Sequence, residues 1–182
     1  VNVLQTQDHP QFKTYAEELK WLTTDKTRMK WVANTIKDIS TSGNTLILVD
    51  RISAGEILEE QIDNAVFVSG STKNTDRKEQ YDEISTATNK VIIATYGVAA
   101  VGINIPRIFN LVLIEPGKSF VRVIQSIGRG IRKAEDKENV QIWDITSSCK
   151  FAKRHLGARK KFYKEANYPY NIEKVNYENP YT

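Results

Sequence analysis

The sequence predicts an α/β protein built around a mostly parallel sheet with helices on both faces. Short apolar runs of strand length alternate with amphipathic segments along the chain, and the runs are continuous rather than interrupted at every second residue. Continuous apolar runs are typical of parallel strands buried on both faces, and their alternation with helices is typical of α/β sheets. Ligands of such sheets bind beyond the carboxyl ends of the strands, so we expect a functional site at that edge.

The composition limits the classes of protein to which the chain can belong. Its 182 residues, 40% hydrophobic and 26% charged, suit one globular domain. No signal peptide or run of membrane-spanning length occurs, and the chain begins without Met, so we expect a soluble, cytoplasmic piece of a longer protein with no membrane partner. The single Cys149 excludes an internal disulfide, and His9 and His155 give no metal-ligand spacing. The net charge of +4 permits a polyanionic partner.

The elements follow from the spacing of the apolar residues. Helical periodicity predicts two helices, over residues 12–22 and 29–39, and Gly43-Asn44 turns the chain into a strand over residues 45–49. Ser53 to Glu56 fits a capping box that begins the next helix. Further strands are predicted at 66–68, 91–94, 111–114 and 140–145, with a polar helix from Thr75 to about Thr86. We expect residues 1–44 to be a linker and helices leading into a core over 45–148.

The last segment, residues 149–182, is expected to form a basic helix and a tail. Residues 151–166 contain six Lys or Arg against the single Glu165, with an apolar side. Two interpretations are open: a solvated charged face, or contact with a nucleic-acid backbone. Beyond this helix we expect an edge strand at 172–175 and a frayed polar tail from Tyr177.

The stretch from Gln125 to Arg132 predicts a helix with a functional face. At helical spacing, Phe120, Ile124, Ile127 and Ile131 fall on one stripe, whereas Arg122, Gln125, Arg129 and Arg132 fall on the opposite side. Arg129 and Arg132 are three residues apart, so both guanidiniums can reach one anion, and arginine pairs best with carboxylate or phosphate oxygens. The alternative is a basic amphipathic helix on a solvated face.

A second stretch carries small residues where a strand ends. The predicted strand at 91–94 leads into Thr95, and the following turn contains Gly102 and Asn104. Small residues here allow backbone amides to approach a phosphate closely. A tightly packed crossover without a ligand is the alternative.

The two stretches together resemble motifs of the second RecA-like motor domain of superfamily-two helicases and translocases. Thr95 with Gly102-Ile-Asn104-Ile-Pro106 is similar to the fifth motif, and Gln125, Gly128, Arg129 and Arg132 are similar to the sixth. Residues 46–51 are similar to the fourth motif, and Ser69-Gly70 lies where the family has a His-Gly turn. The resemblance covers residues 45–146 and implies a RecA-like three-layer fold.

The resemblance also implies roles for individual residues. Arg132 matches an arginine finger and Arg129 its companion, both directed at the γ-phosphate of an ATP that another domain holds. The positions implied to contact ATP are Gln125, Gly102 and Asn104. Those implied to contact nucleic acid through its backbone are Thr95, Tyr96, Gly97, Arg51, Ser69 and Gly70.

The first half of an ATP site is missing from the sequence. Gly117-Lys118-Ser119 lacks the earlier glycine of a phosphate-binding loop, because position 112 is Val112, so we interpret Ser119 as a helix cap. Arg51 follows Asp50 where a catalytic Glu would be expected. ATP and Mg²⁺ are therefore expected to be held mainly by an N-terminal RecA-like domain of the same parent chain, and this fragment is expected to be inactive alone.

The resemblance implies that the parent is an ATP-dependent DNA helicase for recombination, repair and replication-fork processing. Its DNA would be branched or partly single-stranded, and the protein would act in the host cytoplasm if it comes from a phage. Two rival interpretations remain: a RecA-like module that binds nucleic acid or protein without hydrolysis, and a flavodoxin-like nucleotide or flavin binder.

Overall fold

Seven strands form one sheet within the residues that the structure describes. This computed structural model describes residues 1–68, 89–100, 108–117, 120–131 and 140–177, with side chains of 120–131 described as far as Gln125. The strands are β1 (Asn2–Thr6), β2 (Thr45–Val49), β3 (Ala65–Val68), β4 (Val91–Thr95), β5 (Asn110–Ile114), β6 (Gln141–Ser147) and β7 (Asn171–Val175). The helices are α1 (Tyr15–Thr24), α2 (Lys26–Ser40), α3 (Ile52–Gln61), α4 (Tyr96–Ala100), α5 (Phe120–Ile131) and α6 (Lys150–Glu165).

The sheet is parallel and covered on both faces, as predicted. Its order is β3-β4-β2-β5-β6-β1-β7, and all six strand pairs are parallel. Alternate residues of β2 enter different cores: Leu46 and Leu48 pack with α4, α5 and α6, whereas Ile47 and Val49 pack with α2 and α3. The fold therefore has three layers, with the sheet in the middle.

The expectation that residues 1–44 only lead into the domain was wrong for their first segment. Strand β1 lies inside the sheet, with Val3 opposite Asp144 of β6 on one side and Ile172 of β7 on the other. This strand was not predicted from the sequence, because its mixed polar and apolar residues show neither alternation nor a continuous apolar run. The polar residues are satisfied across the sheet: the Thr6 hydroxyl, for example, donates to the Thr146 carbonyl at 3.1 Å.

The predicted start of α3 was also wrong. Arg51 occupies the N-cap position in an extended conformation, with φ −109° and ψ 141°, and makes no side-chain cap bond. Ser53 and Glu56 are exposed residues inside the helix. The helix begins directly after the strand because the chain turns at Asp50 and Arg51, before the Ser53 side chain could cap it.

The C-terminal tail makes specific contacts as far as Tyr177, although its polar composition predicts a frayed end. The Tyr177 hydroxyl donates to the Asp8 carboxylate at 2.6 Å, and its ring lies 6.1 Å from the ring of Trp31. Tyr177 was therefore wrongly assigned to a frayed tail. The helix predicted from Thr75 and the Ser119 cap lie outside the described residues.

A carboxylate from α1 caps the basic helix α6. Cys149 stands at the N-cap but makes no side-chain cap bond. Instead, the buried Glu18 accepts the backbone N–H groups of Phe151 and Ala152, each at 2.9 Å. A carboxylate at a helix N-terminus is favoured by the helix dipole as well as by these bonds. The predicted basic helix is confirmed, and α1 holds its first turn against the sheet.

In the described part of the chain, no helix combines the length and apolarity needed to cross a bilayer.

Candidate functional site

The carboxyl ends of the parallel strands meet at one edge, and several predicted site residues lie there. Thr95 pairs in register with Val49, so the end of β4 is adjacent to Arg51, two residues beyond the end of β2. Helix α4 begins directly after Thr95, and the buried side chains of α5 pack in one cluster with those of α4. The fold therefore brings the segment that follows Thr95 beside the helix that carries Gln125 and Arg129.

Thr95 and Gly97 leave the backbone open at this edge. The Thr95 hydroxyl accepts the N–H of Val98 at 3.2 Å and so caps the short helix α4. Gly97 is exposed, and among the residues that the structure describes, a Cβ built there would meet only the Thr95 hydroxyl, at 3.8 Å. The absence of a side chain keeps this part of the backbone accessible to a ligand.

Tyr96 differs from the other predicted residues of this segment because its side chain points into the core. The ring is buried, and its hydroxyl donates to the Ile114 carbonyl at 2.9 Å. Burial, assisted by the nearby Asp144 carboxylate, raises the pKa of Tyr96 well above its usual value. Its side chain fastens the end of β4 to β5, so only its backbone is available at the edge.

Arg51 is partly buried and turned toward α1. Its Nη2 donates to the Ala16 carbonyl at 3.3 Å. This bond leaves most of the guanidinium's donors available, since an arginine has five N–H groups. Arg51 can therefore contact an anion at the edge while remaining attached to α1.

Helix α5 has the predicted two-sided character in its described side chains. Phe120, Val123 and Ile124 are buried, whereas Arg122 and Gln125 are exposed. The helix backbone continues to Ile131, so Arg129 lies one turn beyond Gln125 along the axis. The side chain of Arg129 and the residues Arg132, Gly102, Asn104, Ser69 and Gly70 lie outside the part of the chain that the structure describes.

A buried ionic network lies under the edge, and no pattern in the sequence predicted it directly. Arg28 of α2 donates through Nη2 to Glu115 at 2.5 Å, through Nε to the Thr6 hydroxyl at 3.1 Å, and through Nη1 to the Leu22 carbonyl at 2.6 Å. Buried arginines require such partners. Arg28 thus connects α1, β1 and the end of β5.

Glu115 begins the turn that leads from β5 toward α5. It is a non-glycine residue in the left-handed region, with φ 45°, a conformation that costs free energy and is concentrated at functional sites. Burial raises the pKa of its carboxyl to about 7, although Arg28 acts in the opposite direction. Strain and burial here show that the surrounding structure holds this turn firmly.

A second buried arginine supports the same turn from the other side. Arg159 of α6 donates through Nη1 to the Pro116 carbonyl at 2.7 Å, and it forms two bonds with Asp144, at 2.7 and 3.0 Å. The Tyr163 hydroxyl donates to the same carboxylate at 2.7 Å. The sequence contained a signal for this group: Arg159 falls on the apolar stripe of its helix, between Leu156 and Tyr163.

The described residues do not form a magnesium site. No group of three or more His, Cys, Asp or Glu side chains that could hold a metal ion occurs among them. At the edge itself, Glu115 is engaged by Arg28, and Asp50 is exposed on its own strand end.

Comparison with known proteins identifies relatives among helicases. The profile of the helicase conserved C-terminal domain family matches residues 27–134. The chain is similar to the ATP-dependent DNA helicase uvsW of Enterobacteria phage T4, with 29% identity over 155 residues, covering 82% of this chain and 31% of that protein. It is also similar to putative helicase 22 of Sulfolobus islandicus filamentous virus, with 34% identity over 104 residues, covering 55% of this chain and 18% of that protein. The chain thus spans about a third or less of these relatives.

Solved structures share the fold at lower sequence identity. The crystal structure of T4 UvsW matches with a TM-score of 0.83 at 23% identity, covering 97% of this chain and 41% of that one. The E. coli DEAD-box protein SrmB, bound to RraA, matches with a TM-score of 0.64 at 18% identity, covering 100% of this chain and 94% of that one. The RecA-like fold predicted from the sequence is confirmed.

Proposed function

This chain belongs to the family of helicase conserved C-terminal domains, and we propose that it is the second motor domain of an ATP-dependent DNA helicase. The observation that carries the proposal is the packing of α4 against α5. Through this contact the segment after Thr95 lies beside the helix of Gln125 and Arg129, which supports a composite nucleotide and nucleic-acid site at this edge. The relationship to uvsW supports DNA as the substrate.

In the proposed mechanism, this chain completes an ATP site whose phosphate-binding loop belongs to another domain. Arg132 acts as the arginine finger and Arg129 as its companion, because two guanidiniums can neutralise the charge that develops on the γ-phosphate. Gln125, Gly102 and Asn104 contact the nucleotide. The metal is assigned to the N-terminal motor domain of the parent chain, because Arg51 follows Asp50 where a catalytic Glu would be expected.

The nucleic-acid track runs along the strand edge in this proposal. The exposed backbone at Gly97 and the partly accessible Arg51 contact phosphates, with Thr95 shaping the turn through its cap on α4. Tyr96 contributes its backbone only, and Ser69 and Gly70 extend the track. Contacts to phosphates suit a motor because they are independent of base sequence.

We further propose that the parent protein remodels branched DNA in recombination, repair and replication-fork processing, in the cytoplasm of its host. This part rests on the relationship to uvsW. Unwinding of a synthetic four-way junction by the parent protein, compared with a linear duplex carrying a single-stranded tail, measures the preference. Equal rates on the two substrates would contradict it.

The experiment that tests the motor assignment is Arg132→Ala in the parent protein. We expect ATP hydrolysis to fall by roughly a thousandfold to a hundred-thousandfold, with DNA affinity retained. Arg122→Ala is the matched control, because Arg122 is an exposed arginine of α5 outside the motif. Unchanged hydrolysis in Arg132→Ala would refute the arginine-finger role and favour a binding module that hydrolyses nothing.

A second measurement addresses the isolated chain. Without the phosphate-binding loop, the 182-residue chain should show no DNA-stimulated ATP hydrolysis. Turnover that disappears in Arg132→Ala would mean that Gly117-Lys118-Ser119 binds phosphate after all.

A further inference from the structure

The solvent face of α6 carries a stripe of cations that the proposed ATP chemistry does not use. We call it the α6 cationic stripe; its members are Lys150, Lys153, Arg154, Lys160, Lys161 and Lys164. All are exposed except the partly buried Lys160. They recur at three- and four-residue spacing and therefore lie on one side of the helix. The apolar side of α6, with Leu156 and Tyr163, packs in the core.

The charges of the α6 cationic stripe are not neutralised within the described residues. No ion pair joins any of the six to a carboxylate there; the buried pair on this helix belongs to Arg159 and Asp144. Lys150 and Arg154 lie over the Phe151 ring, 5.4 and 5.5 Å from its centroid. Cation–π contacts orient these side chains without removing their charge. Six cations on one surface, with no carboxylate paired to them in the described part of the chain, favour an anionic partner with repeated charges.

The middle of the stripe is open down to the helix backbone. Gly157 is exposed, and a Cβ built there would meet no atom of the described residues within 4 Å. Glycine inside a helix costs about 1 kcal/mol relative to alanine. The helix is therefore less stable with Gly157 than with an alanine, although a Cβ would fit there. A partner can therefore approach the helix closely between Arg154 and Lys161. From Lys150 to Lys164 the stripe extends about 21 Å at 1.5 Å per residue, enough for several phosphates of a nucleic-acid strand.

The stripe starts at the same edge as the candidate site. Tyr15 of α1 contacts the first turns of α6, with ring centroids 6.3 Å from Phe151 and 4.9 Å from His155. Tyr15 is 36% exposed, and its neighbour Ala16 accepts the bond from Arg51. Aromatic surface beside cations suits an unpaired base next to its phosphates. Strand edge, Tyr15 and stripe thus form a continuous path.

We propose that the α6 cationic stripe binds the backbone of single-stranded nucleic acid as it leaves the strand edge. This inference rests on the proposed function for the source of the strand, but the contact can be measured without ATP. The proposal assigns a role to helix α6, which lies beyond the residues 27–134 that match the family.

The test neutralises two stripe residues, Lys153→Gln with Lys161→Gln, and measures the Kd for a labelled single-stranded oligonucleotide over a range of salt concentrations. The control is Lys30→Gln with Lys37→Gln: both are exposed lysines of α2, on the opposite side of the sheet. Each pair removes two positive charges, so a general charge effect would act equally on both. Near-ultraviolet circular dichroism checks that each variant is folded.

We expect the stripe variant to bind at least tenfold more weakly at low salt. The slope of log K against log salt should decrease in magnitude by about 1.4, since each lost phosphate contact on a single strand removes about 0.7. Equal losses in both variants, no loss in the stripe variant, or a loss confined to duplex would overturn the proposal.

Measurement of ATP hydrolysis in the parent protein separates this inference from the motor assignment. The stripe variant should retain its hydrolysis rate without nucleic acid and need more single strand for half-maximal stimulation. If the stripe variant binds single strands as the wild type does, while hydrolysis is intact and depends on Arg132, only the role proposed for the stripe is refuted. Stripe-dependent binding with hydrolysis that is independent of Arg132 would instead remove the motor assignment.

Discussion

Arg159 and Asp144 form a bidentate ion pair inside the domain, with Nε–Oδ2 and Nη2–Oδ1 distances of 2.7 and 3.0 Å. Both side chains are essentially inaccessible to solvent. The same arginine donates to the Pro116 carbonyl, in the turn that precedes α5. The pair therefore attaches the C-terminal helix α6 both to the sheet and to the turn that leads to the proposed catalytic helix.

Removing one member of this pair should destabilise the domain strongly. Asp144→Asn leaves the Arg159 charge buried without its counter-ion, so we expect a loss of about 3–5 kcal/mol in the free energy of unfolding. Urea denaturation measures it, with Lys161→Met as the control on the exposed side of the same helix, where changes stay within about 0.5 kcal/mol. The double variant Arg159→Met with Asp144→Leu should lose less than the two single variants summed. A loss below about 1 kcal/mol for Asp144→Asn would contradict this account.

This pair also illustrates how far sequence patterns reach. The order of apolar residues predicted the strands β2 to β6 and the helices α1, α2, α5 and α6. Strands buried on both faces leave continuous apolar runs, and helices buried on one face leave apolar residues at helical spacing. The partners of Arg159 and Arg28 lie in other elements of the fold. Such pairings depend on the three-dimensional arrangement, which local sequence patterns do not contain. Charged residues on apolar stripes indicate that a partner exists, without identifying it.

In the candidate site, too, some features could be predicted from the sequence and others could not. The strand ends and the helix of Gln125 could be placed from the sequence, because parallel strands share one edge. The inward direction of Tyr96 could not, since a tyrosine after a strand is equally compatible with either side. Strand β1 was missed because five residues of mixed polarity carry no distinctive period, and only pairing with β6 and β7 selects their conformation.

Glu115 should make stability depend on pH in an unusual direction. Burial raises its pKa from 4.5 to about 7, so the folded protein holds this proton more tightly than the unfolded chain does. Its stabilising contribution is then complete below pH 4.5 and is lost as the pH rises to about 7. Relative to Glu115→Gln, the wild type should lose stability over this interval, by at most about 1.4 kcal/mol per pH unit.

Urea unfolding of wild type and Glu115→Gln between pH 4.5 and 8 measures this difference. Glu56→Gln, at an exposed position of α3, should show no comparable slope and serves as the control. If wild type instead gains stability over Glu115→Gln as the pH rises, the ion pair with Arg28 outweighs burial, and the assigned direction is wrong.

Two helical glycines should respond oppositely to the same substitution. A Cβ on Gly55 of α3 would lie 2.5 Å from the Phe67 ring, so Gly55→Ala should destabilise by about 1–3 kcal/mol through overpacking. Gly157 of α6 has open space, so Gly157→Ala should stabilise by up to about 1 kcal/mol. Thermal unfolding of both variants provides the comparison, and Phe67→Ala should remove the penalty of Gly55→Ala if the clash is its cause. Shifts of the same sign in the two single variants would refute the packing described for α3.

Tyr96 tests whether a residue at the site acts through its side chain or its backbone. Because its hydroxyl donates to the Ile114 carbonyl in the core, Tyr96→Phe should lower the free energy of unfolding by about 1 kcal/mol and leave the Kd for single-stranded DNA unchanged. Arg51→Ala is the comparison at the same edge: its guanidinium is partly accessible, so its loss should weaken DNA binding with little effect on stability. Oligonucleotide binding and urea unfolding, measured on both variants, separate the two roles. A drop in DNA affinity for Tyr96→Phe at unchanged stability would mean that the ring leaves the core to meet the DNA, and the backbone assignment would have to be withdrawn.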